Sequence, residues 1–432
     1  MEEFEGHGFD EFSVEIEDFE YQQVKSFDRI FRVGEGGSFL QHPCVHDGIV
    51  YAASLDRNVY AIRISTGELV WKFTAESGFA PSSPTVSGGM LYIGSYDHNL
   101  YALDEKTGRL IWKFRTEEKI TSTALVHDGR VYVGSNDYNM YCIEAKSGRL
   151  IWKFHTQGEV PSMPTHYEGM ILFGSWDRFL YCVDAETGRL IWKFEAQSDV
   201  YNEWMLTIHN GVVYVPSFDN ILRAVEVKTG TLLWKYTTGT YGGMHSSPLL
   251  YENRLYAVNR EGTLHCLTLE GNLVWKFRIN YVMSLIEIDD ERIYFGAGDY
   301  ALHCLSTKGN ELWKFPTQGE IWWKPTVHGN ALLFTSHDCN LYCVDKNTRN
   351  LLWKFRGQGA PSDWPPPFDG FELKVRKSVE DSGISDSRRK TYDVESMEED
   401  NLDTYKSRIT YQVSTQYAAK GKYQIDSKEE EF

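Results

Sequence analysis

Residues 82–114 read SSPTVSGGMLYIGSYDHNLYALDEKTGRLIWKF and hold most of the information about the fold. Four short runs that are rich in β-branched and aromatic residues are separated by Gly-Gly, Asp-x-Asn and Thr-Gly. Runs of this kind between turn residues are typical of an antiparallel meander. The stretch therefore predicts four antiparallel strands, which we name A, B, C and D in chain order.

The tripeptide Trp-Lys-aromatic, which ends this stretch, recurs eight times in the 432 residues of the chain, at spacings of 38 to 42 residues. Its tryptophans are Trp71, Trp112, Trp152, Trp192, Trp234, Trp275, Trp313 and Trp353. A unit of about 40 residues with four strands is the signature of a propeller blade, because so thin a unit buries its faces only by stacking on neighbours. The repeats predict an all-β fold, an eight-bladed β-propeller of four-stranded antiparallel blades, over about residues 39–355.

The connection between strands C and D carries a motif that ends at the tryptophan. It reads Ala102-x-Asp104-x-x-Thr107-Gly108-x-x-x-Trp112 in the stretch quoted above. Two further units repeat it, the second with substitutions: Cys182, Asp184, Thr187, Gly188, Trp192, and Cys142, Glu144, Ser147, Gly148, Trp152. Units six and seven have a C–D turn that is one residue shorter, and unit eight has Arg349 where the motif has Gly.

This motif resembles the tryptophan-docking motif of the pyrroloquinoline-quinone (PQQ) repeat family, the eight-bladed quinoprotein-like propellers. The resemblance covers about three quarters of the chain and implies the propeller fold. It leaves the function open, because propellers of this family include dehydrogenases, assembly scaffolds and sensor domains. Its dehydrogenases carry an adjacent-cysteine disulfide and calcium ligands beneath the quinone, whereas this sequence has no Cys-Cys dipeptide.

The cysteines and the recurring aspartates both have structural interpretations. Five of the seven cysteines occupy one position in strand C, where other units have Ala, so we predict buried free thiols and a reducing compartment. They are Cys142, Cys182, Cys266, Cys304 and Cys343. An aspartate recurs between strands B and C, which is typical of Asx turns. We therefore predict no catalytic, cofactor-binding or metal-binding residues, and no cofactor.

The candidate binding site comes from the aromatic residues that the repeat does not explain. In a four-stranded antiparallel blade, the D–A connections and the B–C turns lie at the same end. Surplus aromatic, His and Arg residues in these segments predict a binding face, and exposed residues of these types are the usual anchors of protein interfaces. This face consists of Tyr96, Trp176, Trp204, Phe218, Tyr241, His245, Arg260, Tyr281, Trp322, Trp323, His337 and Trp364. An alternative is that these side chains fill the central channel or cover neighbouring blades.

The composition restricts the class of partner and the location. The formal net charge of -17 argues against a general nucleic-acid binder, because such a protein needs a basic face. The 14% of aromatic residues and the 36 glycines favour strands and turns. No stretch is long and apolar enough for a membrane span, and the acidic N-terminus is unlike a secretory signal. We predict a cytoplasmic, non-enzymatic scaffold with a protein partner. The alternatives are a quinone- or other cofactor-dependent oxidoreductase, or a ligand-sensing or carbohydrate-binding propeller.

The two ends of the chain differ from the repeats. We predict an acidic N-terminal arm at residues 1–26, the propeller within 27–370, and a C-terminal extension at 371–432 that is partly disordered. Residues 409–425 alternate enough for a β-hairpin, which could pair with a partner chain. Ring closure stays open at this point, because residues 30–34 resemble a worn D strand and a partial ninth unit follows Phe355.

Overall fold

The computed structural model describes residues 38–39, 41–79, 81–200, 206–240, 243–244, 247–279, 284–358, 374–377 and 392–395. Each of the eight repeats forms one four-stranded antiparallel sheet, and each sheet takes its strands in order from a single repeat. These sheets are the blades of an eight-bladed all-β propeller, as the repeats predict. The described part of the chain contains no helix that is long and apolar enough to cross a membrane.

The strands of the first four blades follow the predicted A, B, C and D order. Blade 1 contains β1 (Cys44–His46), β2 (Ile49–Ala53), β3 (Asn58–Arg63) and β4 (Leu69–Thr74). Blade 2 contains β5 (Thr85–Ser87), β6 (Met90–Gly94), β7 (Asn99–Asp104) and β8 (Leu110–Arg115). Blade 3 contains β9 (Leu125–His127), β10 (Arg130–Gly134), β11 (Asn139–Glu144) and β12 (Leu150–His155). Blade 4 contains β13 (Thr165–Tyr167), β14 (Met170–Gly174), β15 (Phe179–Asp184) and β16 (Leu190–Glu195).

The second four blades have the same organisation. Blade 5 contains β17 (Thr207–His209), β18 (Val212–Val215), β19 (Ile221–Glu226) and β20 (Leu232–Thr237). Blade 6 contains β21 (Leu249–Tyr251), β22 (Arg254–Val258), β23 (Thr263–Thr268) and β24 (Leu273–Arg278). Blade 7 contains β25 (Glu287–Asp289), β26 (Arg292–Gly296), β27 (Ala301–Ser306) and β28 (Glu311–Pro316). Blade 8 contains β29 (Thr326–His328), β30 (Ala331–Thr335), β31 (Asn340–Asp345) and β32 (Leu351–Arg356).

The C-terminal extension contributes a separate two-stranded antiparallel sheet, formed by β33 (Lys374–Lys377) and β34 (Tyr392–Glu395). The hairpin predicted at 409–425 lies outside the described residues, as do the acidic arm at 1–26 and the worn D strand at 30–34.

The strands of a blade differ in burial because of their distance from the ring axis. Strand A is innermost, since β1 contacts β5, β5 contacts β9 and β9 contacts β13. Strands B and C are buried almost throughout, whereas strand D forms the outer edge and alternates between exposed and half-buried residues. The apolar core therefore lies between adjacent blades, and each blade needs both of its neighbours to bury its faces.

The repeated tryptophans join each blade to the next. The indole N–H of Trp152 in blade 3 donates to the backbone oxygen of Ala185 in blade 4 over 3.1 Å. Its ring lies on Gly188, where φ is +69° and an added Cβ would come within 2.6 Å of the ring. Arg349 takes the glycine position in unit eight with a left-handed φ of 67°. The structural role predicted for the repeated tryptophans is confirmed.

The ring closes with this same contact between blades 8 and 1. The indole N–H of Trp353 donates to the backbone oxygen of Ile64 over 2.7 Å, and its ring lies on Gly67. The backbone N–H of Gln358 donates to Asp56 of blade 1 over 2.7 Å. Within the described ranges, no strand is exchanged between blades 8 and 1. The closure is therefore one more blade-to-blade contact of the repeated kind.

The cysteines and aspartates have the structural roles that the repeat predicts. All seven cysteines lie in the described part of the chain and are free thiols, and the five in strand C are buried. In blade 3, Asp137 accepts hydrogen bonds from the backbone N–H groups of Asn139 and Glu117 and from the Tyr141 hydroxyl. This aspartate therefore joins its B–C turn to strand C and to the preceding D–A segment. The loops at this end of the blades are held by a rigid frame.

Candidate binding face

In seven blades, the B–C turn is attached to the D–A segment before it by a backbone hydrogen bond between described residues. In blade 4, the N–H of Trp176 donates to the oxygen of Glu159 over 3.0 Å. The same bond joins six further pairs: Leu55 with Ser38, Tyr96 with Gly78, Asn136 with Lys119, Phe218 with Asp199, Arg260 with Gly243, and His337 with Glu320. The two kinds of segment therefore share one end of the blades, as strand alternation predicts. We call this end the binding face.

The structure describes seven of the twelve residues predicted for this face. They are Tyr96, Trp176, Phe218, Arg260, Trp322, Trp323 and His337. The other five lie outside the described residues: Trp204, Tyr241, His245, Tyr281 and Trp364. Four of the seven pack together, Trp176 is exposed, and Phe218 and Arg260 are half-buried.

The packed group extends over blades 8, 1 and 2. Trp323 is 5% exposed and packs with Leu55, while Trp322 and Tyr96 pack against this pair. The rings of Trp322 and His337 lie 5.1 Å apart. Among the described residues, the indole N–H groups of Trp322 and Trp323 have no hydrogen-bond partner. These side chains pack against residues of neighbouring blades, as the alternative interpretation expects.

The exposed group is centred on blades 3 to 5. Trp176 is 42% exposed although its backbone is held by the turn, and Tyr138 in the preceding B–C turn, that of blade 3, is 44% exposed. Phe218 is half-buried and packs on Gly243, where an added Cβ would lie 2.6 Å from the phenyl ring. A large aromatic side chain in water on a rigid turn is an arrangement typical of an interface anchor.

Two carboxylates lie in the D–A segments that hold Trp176 and Phe218. Partial burial raises the pKa of Glu159, with Lys119 opposing this effect and Glu118 adding to it. Partial burial also raises the pKa of Asp199, against the influence of Arg178. Charged carboxylates that are partly removed from water are stabilised by an incoming cation. The surroundings of Trp176 are therefore suited to a partner with Lys or Arg side chains.

Two exposed aromatics on this face were not predicted. Tyr138 and Tyr300 directly follow the turn aspartate, at φ values of 71° and 64°. The equivalent position has a left-handed backbone in all eight blades, so this conformation belongs to the turn itself. The sequence shows an aromatic residue at this position in these two units, where the other six have Arg, His, Asn, Gly or Cys.

A cavity of about 320 Å³ lies among the strand A segments of blades 5 to 8. Its lining is mostly apolar and includes Leu206, Pro248, Leu285 and Lys324. Lys324 forms an ion pair with Glu287 of blade 7. Little in the sequence indicates this cavity, because Lys324 is a single charged residue at the start of one short strand.

The described lining of this cavity does not fit pyrroloquinoline quinone. A planar tricarboxylate needs flat surfaces for stacking and several cationic partners. The described lining supplies one cation, Lys324, which already pairs with Glu287, and its aromatic side chain is Tyr256. The residues that the structure describes around this cavity therefore give no support for a quinone site there.

Two family models match the chain. Residues 86–299 match "Beta-alanine-activating enzyme, beta-propeller". Residues 24–126 and 260–364 match "Outer membrane protein assembly factor BamB". No curated protein matches the chain.

Many solved structures are similar, among them three of different kinds. BamB from Moraxella catarrhalis has a TM-score of 0.60 and 18% identity, over 71% of this chain and 91% of that one. The computationally designed Ika8 protein has a TM-score of 0.61 and 15% identity, over 70% and 94%. The quinohemoprotein alcohol dehydrogenase ADHIIG from Pseudomonas putida HK5 has a TM-score of 0.60 and 14% identity, over 70% of each chain. At such identities the similarity concerns the fold alone. Together with the docking tryptophans, the two family-model matches show that the chain belongs to the PQQ-like β-propeller repeat family.

Proposed function

We propose that this protein is a non-enzymatic scaffold that binds another protein through the binding face, with Trp176 as the main anchor. The observation that carries the proposal is the 42% exposure of Trp176 on a turn whose backbone is fixed on both sides. Because the turn is already ordered, binding loses little conformational entropy there. The similarity to BamB, which is described as an assembly factor, supports a binding role.

The partner would contact blades 3 to 5 first. Tyr138 and Phe218 extend the apolar surface on either side of Trp176, and Glu159 and Asp199 supply negative charge. The acidic arm at 1–26 and the extension at 371–432 would add auxiliary contacts. We place the protein in the cytoplasm, and its seven free thiols support a reducing compartment.

The test is Trp176→Ala in the full-length chain, with capture of partners from the source cells measured by quantitative mass spectrometry. An anchor residue contributes about 2 kcal/mol or more, so the affinity for the captured partner should fall about 30-fold. The matched control is Leu233→Ala, which truncates a 51% exposed apolar residue on strand D, away from the binding face. Equal partner capture by both variants would contradict the proposal.

The same variant makes a prediction about stability. Trp176→Ala should leave the melting temperature almost unchanged, because substitutions of exposed residues typically alter stability by about 0.5 kcal/mol or less. Trp152→Ala removes the same side chain from an 8% exposed position and should lower stability by about 3–5 kcal/mol. A melting temperature that falls equally in both variants would show that Trp176 is structural.

A second candidate function is ligand binding in the cavity, including the oxidoreductase and carbohydrate-binding alternatives. The 320 Å³ cavity with an ion pair at its edge favours this candidate. Absorbance spectra of the purified protein, recorded before and after addition of quinone and calcium, distinguish it from the scaffold. A bound chromophore would contradict the scaffold proposal.

A further inference from the structure

Three ligand-type side chains meet at the end of blades 1 and 2 opposite the binding face. His46 ends β1, Asp47 follows it in the A–B turn, and Glu105 lies in the C–D turn of blade 2. His46 Nδ1 is 2.5 Å from Glu105 Oε1 and 4.0 Å from Asp47 Oδ2. The three donor atoms lie within 4.8 Å of one another.

Glu105 is unusual at its position. The equivalent residues of other blades are Ala145, Ala185, Val227, Leu269 and Thr307, and each provides a backbone oxygen to a docking indole. Glu105 provides the same oxygen to Trp71 over 2.9 Å, so docking does not need its carboxylate. The carboxylate is nevertheless almost buried, with 8% of the side chain exposed. A buried carboxylate is costly unless a cation or hydrogen-bond donors compensate it.

The neighbours of Glu105 hold its carboxylate toward the surface. The Tyr51 hydroxyl donates to Glu105 Oε1 over 3.3 Å from the inner side. His46 is on the outer side with 47% of its side chain exposed, and Asp47 is 85% exposed. The site is therefore open to ions from solvent and carries one buried and one exposed carboxylate beside an imidazole.

We propose that His46, Asp47 and Glu105 bind a divalent transition-metal ion of the Zn²⁺ class, which links blades 1 and 2. One imidazole nitrogen, two carboxylate oxygens and a water would complete a four-coordinate shell. Bond lengths of about 2.0–2.2 Å place donor atoms about 3.2–3.6 Å apart. His46 and Glu105 separate slightly to reach this spacing, and the exposed Asp47 moves closer. Binding of the ion replaces the hydrogen bond between His46 and Glu105, and Tyr51 orients the glutamate from the outer shell.

The chain contains two natural controls at equivalent positions. His127 and Asp128 of blade 3 form the same A–B turn, with His127 Nε2 3.3 Å from Asp128 Oδ2, but the residue opposite them in blade 4 is Ala185. In blades 7 and 8 the facing residue is Lys346, which forms an ion pair with Asp289. Of the three blade pairs compared, 1 and 2, 3 and 4, and 7 and 8, only the first has a buried carboxylate at this position. We therefore expect one ion per chain.

The test is isothermal titration of the metal-stripped full-length protein with ZnCl₂ at pH 7.5. The wild type should bind one Zn²⁺ per chain, and its melting temperature should rise with Zn²⁺. The loss of an outer-shell partner typically weakens metal binding about 10–100-fold. Glu105→Gln and His46→Gln change direct ligands, so each should weaken Zn²⁺ binding by more than this. The matched variant His127→Gln should bind like the wild type.

Two further readouts keep the test independent of folding. Melting of Glu105→Gln without metal reports whether this variant is folded, and Asp47→Asn provides a second ligand change at an exposed position. Co²⁺ in place of Zn²⁺ should give visible absorption that is lost in Glu105→Gln. Absence of binding to the wild type, or equal binding by Glu105→Gln and the wild type, would overturn the proposal. So would weakened binding by His127→Gln alone.

Discussion

At the scale of single residues, the docking glycines explain why the motif tolerates so little change. Gly188 and Gly169 both have left-handed backbones, with φ values of 69° and 78°. An added Cβ at Gly188 would come within 2.6 Å of the Trp152 ring, whereas nothing lies within 4 Å at Gly169. The two positions therefore separate the cost of backbone strain from the cost of losing the close contact between blades.

We predict that Gly188→Ala destabilises the protein more than Gly169→Ala. Left-handed strain costs each variant about 1–2 kcal/mol, and overpacking against Trp152 adds about 1–3 kcal/mol at Gly188 alone. Denaturation midpoints of the two variants measure the difference. Equal midpoints would contradict the docking role of the glycine.

Single residues also mark the limit of what the sequence predicted. The docking tryptophans and strand C cysteines were predicted because repetition exposes them in the chain itself. Trp176 and Trp323 looked equivalent in sequence, but one is 42% and the other 5% exposed. Their difference depends on Leu55 and Tyr96, which reach Trp323 only after the ring has closed.

At the scale of elements, one position of strand C shows how neighbouring strands set the behaviour of the same side chain. Blades 6 and 7 have His265 and His303 where five other blades have a tyrosine that donates to the turn aspartate. Burial lowers the pKa of His265 to about 4, and Lys276 adds to this effect. Burial acts in the same direction on His303, but hydrogen bonds with Asp299 and Glu311 outweigh it and raise its pKa.

These two histidines should therefore give stability changes of opposite sign with pH. The contribution of His265 is complete above about pH 6.5 and is lost as the pH falls toward 4, since the unfolded chain binds the proton first. The contribution of His303 is complete below pH 6.5 and is lost as the pH rises through its raised pKa. The lowering of the His265 pKa from 6.5 to about 4 corresponds to roughly 3 kcal/mol, and the effect of His303 has the opposite sign.

The measurement is a series of melting curves from pH 4.5 to pH 9. His265→Gln should lose less stability than the wild type on acidification, because its side chain no longer titrates. His303→Gln should be most destabilised relative to the wild type at the acidic end. Profiles that shift in the same direction for both variants would refute the assignment.

At the scale of the whole molecule, the ring is held together by one contact that is used repeatedly. Trp192 donates to Val227 over 2.8 Å within the chain, and Trp353 donates to Ile64 over 2.7 Å at the closure. The second contact joins residues 289 positions apart. Closing such a loop costs chain entropy, which the burial of two blade faces offsets.

We predict that Trp353→Ala and Trp192→Ala lower stability by similar amounts, each about 3–5 kcal/mol. In a closed ring, blade 8 depends on blade 1 as blade 4 depends on blade 5. Thermal and denaturant unfolding of the two variants make the comparison. A negligible effect of Trp353→Ala alone would mean that the ring does not close through this contact.

The repeat in the sequence was sufficient for the fold class, the number of blades, the strand order and the docking residues. These properties are periodic, because each unit repeats the same local pattern of turns and apolar residues. Only the tertiary structure shows how the ring closes and that Trp176 is exposed while the other described surplus tryptophans pack. It also shows that His46 contacts Glu105, which lies 59 positions later in the chain. Such features arise from contacts between units, and no single unit of the sequence carries the information about which side chains of its neighbours it will meet.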